Sequence, residues 1–354
     1  MTTTTGGPVT LRSFPEFGCY PTHHCVTGSL KHVYGFHGYQ ISEELLLGLG
    51  AGLGFAYFHF KGGDPFYGGR ANNASPKNEG LEKTVGRRTG VAVAAHVTTS
   101  SRVAQQGLRQ LLLAGEPVLV YVDMGLLPYF GLPPGYHFGG HVVVVAGYEP
   151  RTEQVLIADR DEELHPVDWD VLEQARGSAC RPFPPRHTWY TFDFGKARDP
   201  RPEDVRAAIA EVCDGMLDPP IANLGVPGIR KAAEQTLRWP EALGTAALRR
   251  TCFTTALMID ARGGTGGGIF RYLYARFLDE AAIITGDVHL AELGYELTAI
   301  GDRWEDVAAT FAAAAELDDP AVALESATTP LHDIADREEF VWQRLRALVN
   351  RDIT

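Results

Sequence analysis

The most informative stretch of the sequence is His141-Val-Val-Val-Val-Ala-Gly-Tyr148-Glu-Pro-Arg-Thr-Glu153-Gln-Val155-Leu-Ile-Ala-Asp159. It contains two apolar runs separated by a short polar link. Such a link fits a hairpin, which makes the two predicted strands antiparallel. The hairpin places His141, where the first strand begins, and Asp159, where the second ends, at the same rim of the sheet. We expect Asp159 to fix the imidazole tautomer of His141 while the other ring nitrogen faces a thiolate.

The neighbouring residues leave alternatives to this pair. His137 is the alternative to His141, and Asp161 is the alternative to Asp159. His141 is preferred because it opens the strand, where backbone pairing would hold it, whereas His137 lies in a loop rich in Pro and Gly.

A cysteine that could act with this pair lies upstream, in Pro21-Thr-His-His-Cys25-Val-Thr-Gly-Ser29. Cys25 follows a loop and stands at the predicted first turn of a helix. The unpaired N–H groups of a helix N-terminus stabilise a thiolate and can also hold a developing oxyanion. His23 and His24 are candidates for the oxyanion site, with packing or loop hydrogen bonding as the alternative role. For Cys25 itself the alternative is that of an inert buried thiol.

The composition limits the class of protein. The chain has 354 residues and a formal net charge of −12, while its first 100 residues contain eight Lys or Arg and six Asp or Glu. An acidic surface repels nucleic-acid phosphates and anionic membranes, so neither partner is expected. The sequence shows neither a signal peptide nor a long apolar run, so we expect a cytoplasmic protein. Five cysteines without a C-x-x-C pair favour neither a disulfide framework nor a metal site.

The amino-acid composition changes near residues 195–202, where a charged, Pro-containing stretch precedes Ala- and Leu-rich helical patterns. We therefore predict a mixed N-terminal domain, residues 1–195, and a helical domain, residues 202–354. Leu45–Phe55, in which Gly alternates with apolar residues, is interpreted as one buried helix. The predicted strands are 91–98, 117–123, 141–148, 155–158 and 188–194, and the predicted helices are 101–114, 203–217, 227–238, 245–260, 269–284, 287–315 with a break, and 336–349.

These motifs resemble the papain-like superfamily, particularly its C39-like branch, and more closely the acyltransferase family typified by butirosin biosynthesis protein H. The resemblance rests on four stretches: His24-Cys25 with its helix, Ile41–Phe55, Val122–Tyr129 and His141–Tyr148. The helical half resembles that family's companion domain through Arg262-Gly-Gly-Thr-Gly-Gly-Gly-Ile-Phe-Arg271 and Trp304. The resemblance implies an α+β fold, with a papain-like cysteine-enzyme domain built on an antiparallel sheet and followed by an all-α domain.

The resemblance also implies an activity. Cys25 would attack a thioester on the phosphopantetheine arm of an acyl carrier protein, and an amine on a small acceptor would take the acyl group, with His141 as base and Asp159 as its orienting partner. This chemistry requires no metal and no cofactor beyond the donor's own arm. The alternatives are a cysteine amidase, peptidase or thioesterase-like hydrolase, and a non-catalytic binding module. The oligomeric state is left open.

Further residues are weaker candidates for substrate contacts. Asp123 and Tyr129 would line the acyl pocket or simply end a strand. Gly266, Gly267 and Arg271 would hold the pantetheine phosphate, although close helix packing is the favoured interpretation of the glycines. An acidic carrier protein requires a basic docking surface. The candidates for that surface are Lys77, Lys83, Arg87, Arg88, Arg249 and Arg250.

Overall fold

The computed structural model describes residues 10–75, 78–181, 183–263 and 265–351. Its strands are β1 (Leu53–Phe58), β2 (Phe66–Arg70), β3 (Ala92–His96), β4 (Val118–Val122), β5 (His141–Glu149), β6 (Gln154–Ala158), β7 (Leu164–Asp168) and β8 (Trp189–Asp193). Its α-helices are α1 (Cys25–Phe36), α2 (Glu43–Leu49), α3 (Leu81–Thr89), α4 (Ser101–Leu113), α5 (Trp169–Gly177), α6 (Pro202–Leu217), α7 (Gly225–Thr236), α8 (Trp239–Ala242), α9 (Thr245–Ile259), α10 (Gly267–Thr285), α11 (His289–Glu316) and α12 (Ala321–Asn350). The fold class is α+β, as predicted.

The chain forms two compact units, and each unit is built from two separate segments of the sequence. The first unit contains the chain up to Glu43 together with Gly90–Ala197, and the second contains Glu44–Thr89 together with Arg198 onward. The sequence-based division into 1–195 and 202–354 assigned residues 44–89 to the first part. In the structure this segment packs within the second unit, where Phe55 stacks on Trp304 with 5.5 Å between ring centroids. Composition alone did not reveal this long-range packing.

The first unit is built on a six-stranded antiparallel sheet with the order β3-β8-β4-β5-β6-β7. His141 pairs with Val122 at the end of β4, and Val144 pairs with Ala158 on β6. The hairpin of β5 and β6 is therefore present, with its turn in the polar link that the sequence predicts. A register shift between Val145 and Gly147 lies within it.

Both faces of strand β5 are buried, which explains its continuous run of valines. Val143 and Val145 belong to the cluster that Leu108 and Leu112 of α4 also join. Helix α1 lies against the same strand, and its Ser29 hydroxyl donates to the Val142 carbonyl at 3.3 Å. A strand covered on both faces has no polar alternation. Because α1 packs on this strand, the strand determines the position of Cys25, the first residue of α1.

The second unit contains the β1–β2 hairpin and helices α6 to α12. Its core includes the fully buried side chains of Trp239, Trp304 and Trp342. A buried ion pair joins Arg271 and Glu338 at 2.8 Å, and the two indoles of Trp304 and Trp342 donate to the same carboxylate at 3.0 and 2.9 Å. None of the described helices combines the length and the hydropathy that a membrane span requires.

Most predicted elements in the first unit and after residue 200 are confirmed, with shifts of one to three residues at their ends. Three predictions about helices were wrong. Leu45–Phe55 is not one helix, because α2 ends at Leu49 and β1 begins at Leu53. Helix α11 has no break, and α12 begins at Ala321 and continues through Pro330 rather than starting near 336.

Candidate active site

Cys25 is the first residue of α1, and a buried carboxylate holds the loop that leads to it. His24 occupies the N-cap position in an extended conformation without a side-chain cap. Instead, Glu43 accepts hydrogen bonds from the backbone N–H groups of His23 and His24 at 2.8 and 2.7 Å, and from the Thr27 hydroxyl at 2.8 Å. Glu43 is only 2% exposed. These three bonds fix the backbone immediately before the Cys25 thiol.

His141 is the imidazole that meets this thiol. Its Nε2 lies 2.8 Å from Asp159 Oδ2, and both side chains are buried. Cys25 is a hydrogen-bond partner of the same ring. Because Asp159 occupies Nε2, Nδ1 is the nitrogen that faces the thiol. The structure thus brings together the three residues that the sequence nominated, while their catalytic roles stay predictions.

The electrostatics of this group favour a charged pair. Burial acts to lower the pKa of His141, but the charge and hydrogen bond of Asp159, with a smaller contribution from Cys25, raise it to about 9. Burial acts to raise the pKa of Asp159, but His141 and the Tyr129 hydroxyl lower it below its usual range. An imidazolium therefore faces Cys25 at neutral pH, and such a cation stabilises a thiolate.

Three of the other cysteines have pKa values above the ordinary range of a thiol. Burial, together with Asp161 and Asp159, raises the pKa of Cys19 to about 11. Burial also raises the pKa of Cys213 to about 12 and that of Cys252 to about 11. A raised pKa favours the protonated thiol in these three residues, whereas Cys25 contacts the His141 imidazole.

Tyr129, which the sequence proposed for the acyl pocket, contacts the Asp159 carboxylate, and the sequence did not indicate that contact. Its hydroxyl donates to Asp159 Oδ2 at 2.7 Å, the same oxygen that meets His141. Its ring stacks on His165 with 4.1 Å between centroids, and the next residue, Phe130, packs edge-on against His141 at 5.3 Å. Tyr129 therefore orients the carboxylate, whereas an acyl-pocket role for it stays a prediction.

The two alternatives to the pair have other partners. His137 Nδ1 lies 2.8 Å from Asp123 Oδ2, and His165 Nε2 lies 2.9 Å from Asp161. His24, the oxyanion candidate, is buried with its Nδ1 3.1 Å from the Thr27 hydroxyl. Its contribution to an oxyanion site stays a prediction.

Asp123 anchors a loop. Its Oδ1 accepts from the N–H groups of Gly125 and Phe138 at 3.2 and 2.9 Å, and its Oδ2 accepts from the Ser178 hydroxyl at 2.7 Å. The residue is fully buried. Asp123 thus joins both ends of loop 124–138, which carries Tyr129, and no exposed surface remains on it for an acyl chain.

The three candidates in the helical unit are part of its packing. Gly266 and Gly267 are buried, and Gly69 donates its N–H to the Thr265 carbonyl at 3.0 Å. A Cβ on Gly266 would meet the Gly69 backbone at 2.6 Å, so close packing requires glycine there. Arg271 has no exposed surface, and its guanidinium donates to Glu338 and to the Gly54 carbonyl. We therefore do not include these residues in the proposed site.

Of the described residues, one group has the composition and spacing of metal ligands, namely Asp123, His137 and Cys180. It is separate from the Cys25 group. The sequence analysis expected no metal because it searched only for local motifs such as C-x-x-C. It could not detect this group, because its residues come from three separate segments.

Comparison with known families matches most of the chain in two parts. Residues 24–160 match the family model described as butirosin biosynthesis protein H, N-terminal. Residues 170–345 match a domain of unknown function, DUF4872. A search of curated proteins finds no match. The first match includes Cys25, His141 and Asp159.

Proposed function

Residues 24–160 belong to the butirosin biosynthesis protein H N-terminal family, and on that premise we propose that the chain is a cysteine-dependent acyltransferase of antibiotic biosynthesis. It moves an acyl group from an acyl carrier protein thioester, through Cys25, to an amine. The observation that carries the proposal is the contact of the Cys25 thiol with an imidazole whose other nitrogen is 2.8 Å from Asp159.

The first half-reaction forms an acyl-enzyme. In the charged pair the thiol proton of Cys25 already rests on His141, and the thiolate sulfur attacks the carbonyl carbon of the donor thioester. The bond from that carbon to the pantetheine sulfur breaks, and His141 returns the proton to the departing thiol. The exchange of one thioester for another changes the free energy little. The acyl group on Cys25 is therefore still a thioester and stays reactive toward an amine.

The second half-reaction transfers the acyl group. The acceptor amine attacks the carbonyl carbon of the acyl-cysteine, the bond to the Cys25 sulfur breaks, and His141 takes a proton from the amine. The product is an amide, and Cys25 is regenerated. The backbone N–H groups in the first turn of α1 would stabilise the oxyanion of both steps. The reaction uses no metal or organic cofactor apart from the donor's phosphopantetheine.

The carrier protein and the small amine are the proposed partners. A carrier protein is acidic, so docking requires positive charge that is not already neutralised. Arg88 is buried against Glu211, Arg87 pairs with Glu79, and Arg250 pairs with Asp64. Lys77 lies outside the described residues. Lys83, which is half-buried in α3, stays a docking candidate. Arg249, whose guanidinium donates to the backbone carbonyls of Ala315 and Glu316, stays one as well.

The test is a product assay with an acylated carrier protein and a panel of amines. The wild-type protein should form amide faster than free acid, and Cys25→Ala should abolish both products. Cys19→Ala is the matched control, because it removes a thiol from the same unit and should leave the rate unchanged. Free acid as the sole product would instead identify a hydrolase. Product formation that survives Cys25→Ala would refute the assignment.

A further inference from the structure

A second group of side chains with metal-binding chemistry lies in the first unit, outside the Cys25 group. Asp123 follows β4, His137 lies in the loop before β5, and Cys180 follows α5. One ligand atom from each lies within 4.8 Å of the other two. Three elements that are far apart in sequence therefore place a carboxylate, an imidazole and a thiol at one point.

Hydrogen bonds already fix the Asp123 carboxylate of this group without a bound ion. Ser178 donates to Asp123 Oδ2 at 2.7 Å, and the N–H groups of Gly125 and Phe138 donate to Oδ1. Backbone hydrogen bonds fix the same residues, since Met124 donates to Phe138 at 3.0 Å and Asp123 to Ala175 at 2.9 Å. Donors of this kind orient ligating carboxylates in metal sites. Asp123 therefore needs no rearrangement to act as a ligand.

The donors and their spacing suit zinc. Zn²⁺ accepts thiolate, imidazole and carboxylate together, at about 2.3 Å from sulfur and about 2.0–2.2 Å from nitrogen or oxygen. Tetrahedral ligands at those distances lie about 3.3–3.6 Å apart. The present 2.8 Å between His137 Nδ1 and Asp123 Oδ2 needs to open by about 0.5–0.8 Å if Nδ1 is the ligand. Calcium and magnesium select oxygen ligands and would not use the thiol.

We propose that Asp123, His137 and Cys180 form a zinc site with three protein ligands and one open position. His137 is 31% exposed and Cys180 is half-buried, so the ion can enter from solvent. On binding, the Cys180 thiol releases its proton to solvent, and neutral His137 keeps its proton on the nitrogen that does not bind. The ion joins the two ends of loop 124–138 to the segment after α5. It thereby stabilises the loop that holds Tyr129 on Asp159.

The experiment uses the full chain after treatment with a chelator, with Co²⁺ as a spectroscopic probe and Zn²⁺ measured against a chromophoric competitor. We expect one Co²⁺ per chain with a thiolate-to-cobalt charge-transfer band. Cys180→Ser should abolish the band, whereas Cys25→Ser should retain it. Ser178→Ala, which removes a donor to the ligating carboxylate, should weaken Zn²⁺ binding about 10- to 100-fold.

Two results would overturn the site. One is a wild-type chain that is folded by circular dichroism and shows no thiolate-to-cobalt band. The other is a band that persists in Cys180→Ser, which would place the ion on another thiol, or that disappears in Cys25→Ser, which would assign it to the Cys25 group. His137→Ala is the second variant, and it must also lose the band, so the answer does not depend on Cys180→Ser being stable. Acyl transfer by Cys25 is measured separately, and its failure would not affect this result.

Discussion

The ion pair of His141 and Asp159 makes the stability of the first unit depend on pH. The pKa of His141 is raised from 6.5 to about 9 by Asp159 and, to a smaller extent, by Cys25. Each unit of difference between the folded and unfolded pKa corresponds to about 1.4 kcal/mol. The raised pKa of His141 thus contributes about 3 kcal/mol to the free energy of unfolding. Because the folded pKa is the higher one, this contribution is complete below pH 6.5 and is lost as the pH rises through 9.

Asp159→Asn removes the charge that raises the pKa of His141. Burial then dominates, and the imidazole is neutral in the folded protein at lower pH. We expect the free energy of unfolding to fall by about 3 kcal/mol between pH 6 and pH 9.5 with Asp159 present, and by under about 1 kcal/mol in the variant. Urea unfolding at the two pH values measures both quantities. The measurement is made in a Cys25→Ser background, so that ionisation of the thiol adds nothing to the difference.

Asp161→Asn is the matched control for this experiment. Asp161 lies two residues away and pairs with His165 rather than with His141. Its removal should leave the pH dependence of the parent intact. An Asp159→Asn protein that loses as much stability as its parent over the same pH range would refute the ion pair.

Three further variants test neighbouring contacts. Tyr129→Phe removes the hydroxyl that donates to Asp159, which should cost about 1.5–3 kcal/mol in urea unfolding and raise the pKa of Asp159; an unchanged acid limit for Cys25 alkylation would contradict its positioning role. Glu43→Gln weakens the charged acceptor for His23 and His24, and we expect a loss of about 1–3 kcal/mol and slower acylation, whereas wild-type values for both would show that this carboxylate does not hold the loop. Arg271→Met leaves Glu338 buried without its cation, so the free energy of unfolding should fall by about 3–5 kcal/mol. Replacing Glu338 with Leu in the same protein should recover part of that loss.

The hairpin and its flanking residues were predictable from the sequence because they are local. The valine run of β5, the polar link and the run of β6 lie within 19 residues, from His141 to Asp159. Turn chemistry and apolar patterning therefore sufficed to bring the two ends together. The position of Cys25 at a helix start was predictable for the same reason, since the loop residues before it favour a helix boundary there.

Apart from the meeting of Cys25 with His141, contacts between distant segments were not predictable. Glu43 holds the loop before Cys25 from the start of another helix, and the Asp123, His137 and Cys180 group joins three separate elements. No spacing rule links such positions. The hydrogen bonds of Glu43 to the loop before Cys25 and of Ser178 to the Asp123 carboxylate have no sequence signature. Both depend on how the chain packs.

Helix α12 shows how tertiary packing overrides a local signal. Pro330 removes one backbone hydrogen bond and costs about 3 kcal/mol inside a helix, and the predicted helix, 336–349, starts after it. The structure instead buries Leu324, Ala327, Leu331 and Ile334 on both sides of the proline. Burial of that apolar stripe offsets the local cost.

The central claim is that Cys25 carries the acyl group on the way to the amine. The most direct measurement isolates the protein after reaction with an acylated carrier protein, locates the acyl group by peptide mass spectrometry, and then adds amine alone. The account predicts an acyl thioester on the Cys25 peptide that is converted to amide at least as fast as the overall reaction. An acyl group on another residue, or an acyl-Cys25 species that does not yield amide on that timescale, would contradict it.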